Sequence, residues 1–179
     1  DIPDSWRWVR LKDVFIINPR NKLDDDLDVS FIPMPLIDDG YSGKHATEVR
    51  HWKEVKNGFT HFAEGDVGVA KITPCFENRK STVFENLTNG YGAGTTELHV
   101  LRPFGNNIFV RYLLAYIKSD YFVEKGKQTF TGDVGQQRIS KAYVESAYFP
   151  LPPVKEQKRI VQQICIIFEF LNMITDALS

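Results

Sequence analysis

The apolar positions of the C-terminal segment recur at a regular spacing that predicts one long helix. Pro152 and Pro153 end the preceding segment, and proline is well tolerated at the first helical position because its missing N–H needs no partner there. Beyond them, aliphatic residues follow one another in steps of four, three, four, three and four: Ile160, Ile164, Ile167, Leu171, Ile174 and Leu178. This spacing is typical of the seam of a left-handed coiled coil. The sequence therefore predicts a helix over residues 153–179 that pairs through this seam.

The seam is too apolar to stay in water. A large aliphatic side chain contributes roughly 1.5–3 kcal/mol when buried, so leaving the whole seam exposed forfeits on the order of 10 kcal/mol. This is an upper bound, because unfolded chains already bury some of the same surface. Either the helix folds back onto its own domain, or it is an arm that pairs with another long helix of the same protein or of a second subunit. We favour the arm.

The preceding residues, 1–151, predict short strands first and helices later. Strand patterns occupy residues 29–36, 67–72, 81–84 and 96–101, and residues 47–55 fit either a helix or a strand. The later elements are an amphipathic helix at 108–117, a second short helix at 121–127, a polar loop at 130–138 and a last strand that ends at 151. Strands and helices alternate too seldom for a parallel α/β sheet. The pattern predicts an α+β fold: a curled, mostly antiparallel sheet with helices to one side, followed by the long C-terminal coiled-coil helix.

Composition narrows the class of protein. The hydrophobic content of 42% over 179 residues is ample for a core, so a disordered chain is excluded. Cys75 and Cys165 form no metal-binding or redox spacing and are expected to be free thiols. We find neither a targeting segment nor an apolar run near 18 residues, which predicts a soluble, cytoplasmic protein with no membrane partner. Because the chain begins at Asp1 and ends within a helical pattern, we expect it to be part of a longer protein.

Charge is distributed unevenly along the chain. The formal net charge of −1 does not by itself indicate a nucleic-acid partner. Between Arg102 and Lys141, however, seven basic residues face three acidic ones, a local net charge of +4. The basic residues are Arg102, Arg111, Lys118, Lys125, Lys127, Arg138 and Lys141. Local patches rather than totals set the field that a polyanion experiences, so this segment is compatible with DNA binding.

Common catalytic motifs are absent. His45, His51, His61 and His99 have no metal-ligand spacing, and no serine or cysteine lies in a recognisable nucleophile turn. The glycine-rich run at residues 90–94 lacks the Lys-Ser/Thr pair of a phosphate loop and predicts a tight turn between strands. The sequence therefore predicts no catalytic residue, no metal ligand and no cofactor.

One enzymatic alternative remains open. Asp66, Glu77 and Lys80 resemble the triad of a metal-dependent DNA nuclease. In the usual arrangement the acid and the lysine occupy alternate positions of one strand, whereas two residues separate Glu77 from Lys80 here. A scaffold that only recruits other proteins through its helix is a third possibility.

Two polar loops carry residue types suited to reading DNA. The candidate DNA contacts are Lys71, Thr73, Asn78, Arg79 and Lys80 in the first loop, and Gln136, Gln137 and Arg138 in the second. Asparagine and glutamine can bind adenine with two hydrogen bonds, arginine can bind guanine in the same way, and lysine suits phosphate. Glycines beside the second group let the backbone approach a partner closely. The alternative is that these loops only cap sheet edges.

Six motifs, kept in order along nearly the whole chain, carry a family resemblance. They are IPxxWxWVxL from residue 2, FIPM from 31, GDVxxAKITPCFENxK from 65, TELHVLRP from 96, GQQRI from 135 and LPPxxEQxxIV from 151. Together they resemble the DNA-specificity subunit of type I restriction–modification enzymes. The entry to the long helix, PPxxEQxxI, is the most specific of them.

The resemblance implies a non-catalytic DNA-reading module. Such subunits carry two target-recognition domains, each reading one half of a split site, which two long antiparallel helices hold at a fixed separation. Methylation and cleavage belong to separate modification and restriction subunits. By resemblance, residues 1–151 are one recognition domain and residues 152–179 begin a spacer helix. The seam would then pair with the helix of a second recognition domain or, in a homodimer, with its own copy.

Overall fold

The computed structural model describes residues 2–178. Its strands are β1 (Arg7–Arg10), β2 (Phe15–Ile17), β3 (Asp28–Ile32), β4 (Glu48–His51), β5 (Thr60–Ala63), β6 (Val67–Ala70), β7 (Ser81–Val83), β8 (Tyr91–Gly94), β9 (Leu98–Pro103) and β10 (Tyr148–Leu151). Its helices are α1 (Leu11–Val14), α2 (Trp52–Val55), α3 (Val110–Ile117), α4 (Asp120–Lys127), α5 (Lys141–Ser146) and α6 (Val154–Leu178). The predicted α+β class and the long C-terminal helix are confirmed.

The strands divide among three sheets rather than joining one curled sheet. The first, β2-β9-β6-β7, is antiparallel throughout; in the second, β4-β3-β8-β5, strands β3 and β8 run parallel; and β1 pairs with β10. The central strands of the first sheet are apolar on both faces. Val67 and Val69 belong to the core that includes the helices, whereas Leu98 and Val100 pack with Phe62 of the second sheet. A sheet that is buried on both faces needs a packing layer on each face. The helices form one of these layers, and the second sheet forms the other.

Proline determines where the first predicted strand ends. Of residues 29–36, the strand β3 continues only as far as Ile32, because Pro33 and Pro35 cannot donate backbone hydrogen bonds to a neighbouring strand. Residues 47–55, which fit either element, form both: β4 followed directly by α2. The other predicted strands correspond to β6, β7 and β9, and the two predicted helices correspond to α3 and α4.

The glycine-rich run at residues 90–94, predicted as a tight turn, is mostly strand. Strand β8 lies between β3 and β5 in the second sheet. A side chain at Gly92 would overlap the ring of Phe62, which stacks on Phe84 with 3.7 Å between ring centroids. The glycines therefore make room for an aromatic pair, and the turn is confined to Thr88–Gly90.

Helix α6 starts within the folded body and then leaves it. It contains 25 residues, which corresponds to about 37 Å at roughly 1.5 Å per residue. The buried amide of Gln157 accepts a hydrogen bond from the Phe109 N–H (2.7 Å) and donates to the carbonyls of Asn107 (3.0 Å) and Pro152 (2.9 Å). Residues after 168 are exposed. Ser179, where the helix was predicted to end, lies outside the described residues.

Helix α6 is also long and apolar enough to cross a membrane when judged by length and composition alone. Its most apolar window has a mean hydropathy of 1.3, and only 6% of that window is buried. The prediction that no apolar run approaches 18 residues is therefore wrong by this measure. A single helix of this kind is weak evidence for a membrane span. Glu169 and Asn172 interrupt the apolar surface of the helix.

Candidate nucleic-acid interface

The two polar loops, which are some sixty residues apart in sequence, are hydrogen-bonded to each other. The Thr73 N–H donates to the Gln137 carbonyl (2.9 Å), and the Gln137 N–H donates to the Thr73 hydroxyl oxygen (3.1 Å). The Ile139 N–H donates to the Lys71 carbonyl (2.9 Å). Residues 71–73 and 137–139 thus form one continuous surface, which we call the loop platform.

Glu97, which the sequence did not single out as a site residue, anchors the loop platform. Its two carboxylate oxygens accept hydrogen bonds from Nε and Nη2 of Arg138, each at 2.9 Å, and its carbonyl accepts the Lys71 N–H (2.9 Å). The hydrogen bonds from Arg138 hold the pKa of the Glu97 carboxyl below its usual value. Arg138 also donates to the Gln136 carbonyl (2.7 Å), so each of its three guanidinium nitrogens makes a hydrogen bond within the protein. The signal available in sequence was the TELHVLRP motif, which includes Glu97.

Three side-chain amides at or beside the loop platform are available to a ligand. Asn78 and Gln136 are exposed and Gln137 is half-buried. Within the part of the chain that the structure describes, none of these amide groups makes a hydrogen bond. Of the three, Gln137 lines a cleft of about 550 Å³, together with Thr73, Pro74, Glu77, Lys127, Phe130 and Gly135. The arrangement offers free donors and acceptors next to an open groove.

Arg79 and Lys80, also predicted as DNA contacts, make contacts within the protein. The Arg79 Nε donates to the Lys118 carbonyl (3.0 Å) and its guanidinium pairs with Asp120. The Lys80 ammonium donates to the Ile37 carbonyl (2.7 Å). Both side chains are largely buried. The structure therefore uses this pair to shape the first loop.

The basic segment between Arg102 and Lys141 is mostly neutralised by acids from elsewhere in the chain. Its ion pairs are Arg102–Asp66, Arg111–Glu85, Lys127–Glu124, Arg138–Glu97 and Lys141–Glu145. Asp66, Glu85, Glu97 and Glu145 all lie outside the segment in sequence. The local charge of +4 therefore does not appear as a continuous basic patch in the fold.

Lys118 is a buried cation that joins two loops. Its ammonium donates to the carbonyls of Gly40 (2.6 Å) and Arg79 (2.7 Å), and the residue as a whole is 3% exposed. Burial, helped by the charge of Arg79, lowers the pKa of Lys118 to about 8. The neutral amine keeps two N–H groups, so it can donate to both carbonyls after losing its proton.

This pKa predicts an unusual pH dependence of stability. Between the folded pKa of about 8 and the ordinary value of 10.5, the unfolded chain binds more protons than the folded chain, so the contribution of Lys118 to stability rises with pH. We expect the free energy of unfolding, relative to that of Lys118→Met, to increase by about 2 kcal/mol between about pH 7.5 and about pH 9.5. Urea denaturation of both proteins across this range measures it. Parallel pH profiles would contradict the assignment.

The residues of the nuclease alternative do not assemble. The Asp66 carboxylate is held by Arg102, Glu77 lines the cleft beside the loop platform, and Lys80 is bound to the Ile37 carbonyl. Among residues 2–178 there is no group of three or more His, Cys, Asp or Glu side chains that could hold a metal ion. This geometry gives the nuclease alternative no support. Both cysteines are free, as predicted.

The predicted seam of α6 is partly packed and partly uncovered. Ile160 packs against the core of the body, whereas Ile167 and Leu171 are 56% and 50% exposed. A second apolar stripe, in steps of four, three and four, runs along a different face of the helix: Ile166, Phe170, Met173 and Ala177. Successive residues are about 100° apart around a helix, so the two stripes lie about 110° apart. A single partner helix therefore cannot cover both.

Comparison with known proteins places this geometry in a family. Residues 3–176 match the type I restriction modification DNA specificity domain. The EcoAI specificity subunit of Escherichia coli is 48% identical over 162 residues, and the alignment covers 90% of this chain and 28% of that protein. The EcoEI specificity subunit, also of Escherichia coli, is 44% identical over 162 residues, covering 90% of this chain and 27% of that protein. The chain thus spans less than a third of either relative.

Solved structures agree with the fold. The HsdS subunit from Thermoanaerobacter tengcongensis superposes with a TM-score of 0.80 at 19% identity, over 98% of this chain and 45% of that one. A structure described as the basis of complex assembly and conformational transition of the type I R-M system superposes with a TM-score of 0.68 at 21% identity, over 99% of this chain and 42% of that one. These likenesses show a shared fold. The family match over nearly the whole length establishes the identity: the chain belongs to the type I restriction modification DNA specificity domain family.

Proposed function

We propose that this chain recognises one half of a two-part DNA target and performs no chemistry of its own. In this proposal residues 1–151 are the target-recognition domain and residues 152–179 are the start of the spacer helix. The observation that carries the proposal is the loop platform, where two distant loops present unused amides beside a groove on the body from which α6 projects. The names of the relatives, both specificity subunits, support it.

The geometry divides the candidate DNA contacts by role. We assign Asn78, Gln136 and Gln137 to base edges, because their amides are unused and amides bind adenine with two hydrogen bonds. Lys71 and Thr73 are assigned to the phosphate backbone. Arg138 positions the loop platform through Glu97, and Arg79 and Lys80 hold the first loop in shape, so none of these three is assigned to a base.

The helix is assigned to assembly. We propose that the seam of Ile160, Ile164, Ile167, Leu171, Ile174 and Leu178 pairs with the spacer helix of a second recognition domain, either further along a longer chain or in a second copy. The second stripe then requires at least one more helix, which we assign to the modification subunits. The restriction subunit would join this assembly, which we place in the cytoplasm together with its double-stranded DNA substrate.

A glutamine substitution tests the DNA-reading assignment. In the complex of the full chain with its modification subunits, Gln137→Ala should weaken discrimination between the target and single-base variants by about 1–3 kcal/mol, or roughly 5- to 150-fold. Gln128→Ala, an exposed glutamine outside both loops, is the matched control and should leave discrimination unchanged. Binding is measured by fluorescence anisotropy on target and variant duplexes. Unaltered discrimination in both Gln136→Ala and Gln137→Ala would overturn the assignment.

A further inference from the structure

Helix α6 is attached to the body at two separated places. The first is its first two turns, where the buried Gln157 is hydrogen-bonded to Phe109, Asn107 and Pro152 and where Ile160 and Val161 pack against the core of the body. The second is eleven residues beyond Gln157, where the ring of Phe168 lies against Tyr41 with 5.2 Å between centroids. Phe168 lies seven residues beyond Val161, so at roughly 1.5 Å per residue the second attachment is about 10 Å beyond the end of the first.

Tyr41 belongs to a turn that is firmly seated on the body. Glycines with positive φ, Gly40 (67°) and Gly43 (65°), flank it. A side chain at Gly43 would come within 2.8 Å of Leu114 on α3, so this turn packs directly onto that helix. The ammonium of the buried Lys118 donates a hydrogen bond to the Gly40 carbonyl (2.6 Å). The turn is therefore a fixed support for the exposed ring.

The same support is joined to the first DNA-reading loop. The guanidinium of Arg79 lies over the Tyr41 ring, 5.2 Å from its centroid, and also pairs with Asp120. The Gly40 N–H donates to the Asn78 carbonyl (2.8 Å). A continuous path of contacts thus runs from the loop that contains Asn78 and Arg79, through Tyr41, to Phe168 on the helix.

We propose that Tyr41 is a positioning residue that sets the angle between the recognition domain and the spacer helix, and thereby the separation of half-sites that the assembled complex accepts. The inference rests on the proposed function. A helix held only over its first two turns can still tilt against the body, and the contact between Phe168 and Tyr41, about 10 Å further along, restrains that tilt. Inserting one base pair moves a half-site by about 3.4 Å and rotates it by about 35°, so tolerance of altered spacing reports directly on this angle.

The test uses the full chain assembled with its modification subunits and DNA duplexes that carry the two wild-type half-sites. Their spacers are the natural length, one base pair shorter and one base pair longer. The readout is the rate of methylation on each altered spacer divided by the rate on the natural one. We expect Tyr41→Ala to raise this ratio by roughly 2- to 12-fold, the factor that corresponds to one aromatic contact. In Phe168→Ala, which leaves the contact between Arg79 and Tyr41 in place, discrimination against single-base changes within the half-sites should stay at the wild-type value.

Companion variants make the test specific. Tyr41→Phe keeps the ring and should restore the wild-type ratio. Phe168→Ala should change the spacing ratio as Tyr41→Ala does, and the double variant should change that ratio no further, because each removes the contact between the two rings. Tyr121→Ala removes an exposed aromatic ring elsewhere on the body and should have no effect.

Unchanged spacing ratios in both Tyr41→Ala and Phe168→Ala would overturn the proposal, as would an equal loss of methylation at every spacing. A failure of the proposed function would give a different result from a failure of the Tyr41 proposal. In that case the wild-type complex would show no preference for any half-site sequence.

Discussion

A chain that carries both Ile167→Lys and Leu171→Lys is expected to stay folded and to lose pairing through its C-terminal helix. Both side chains lie on the uncovered part of the seam, 56% and 50% exposed, so the body does not depend on them. Removing two buried aliphatic side chains from the paired state costs about 3–6 kcal/mol, and burying two ammonium groups adds further cost. Sedimentation of the wild-type and variant proteins, alone and with the modification subunits, measures the pairing.

A matched control separates the seam from the added charge. Glu169→Lys together with Asn172→Lys places two lysines on the same two turns but away from the seam, because these residues lie about 180° and 120° from its centre around the helix. This control should retain pairing through the seam. If the paired mass persists in the Ile167→Lys, Leu171→Lys protein, the seam is not the pairing surface.

The second large effect concerns the body. Asp66→Asn is expected to lower the free energy of unfolding by about 2–4 kcal/mol, because it leaves the Arg102 charge without its buried partner. The Asp66 side chain is 2% exposed. Its carboxylate accepts hydrogen bonds from Nε (2.9 Å) and Nη2 (2.8 Å) of Arg102 and from the Ala63 N–H (2.8 Å). Asn21 supplies the remaining contact to the guanidinium at 3.1 Å. Urea denaturation measures the loss.

An exposed ion pair provides the comparison. Asp26 pairs with Lys53 at the surface, where solvent screens the attraction, so Asp26→Asn should change the free energy of unfolding far less than Asp66→Asn does. Equal, small effects of the two substitutions would show that the Asp66–Arg102 pair does not stabilise the fold. The same two variants also test the nuclease alternative. If the wild-type chain cleaved DNA in the presence of magnesium, and Asp66→Asn abolished that cleavage while Asp26→Asn did not, the nuclease alternative would be supported.

Local sequence was sufficient for the features that depend on neighbouring residues. The steps of four and three beyond Glu156 predict the long helix, and Pro152 and Pro153 predict its start, because helical periodicity and the missing proline N–H act within a few residues. The same reasoning located α3, β6 and β9 and gave the α+β class. The eight candidate DNA contacts were chosen from residue type, and this choice remains a prediction.

Tertiary structure alone decided which of those candidates are free. Arg138 is engaged by Glu97 and Arg79 by Asp120 and Tyr41, partners that lie about forty residues away in sequence, whereas the amides of Gln136 and Gln137 remain unused. The division of the strands among three sheets has the same origin. Hydrogen bonds and burial between segments that are distant in sequence depend on the topology of the fold. A local pattern of residues does not determine that topology.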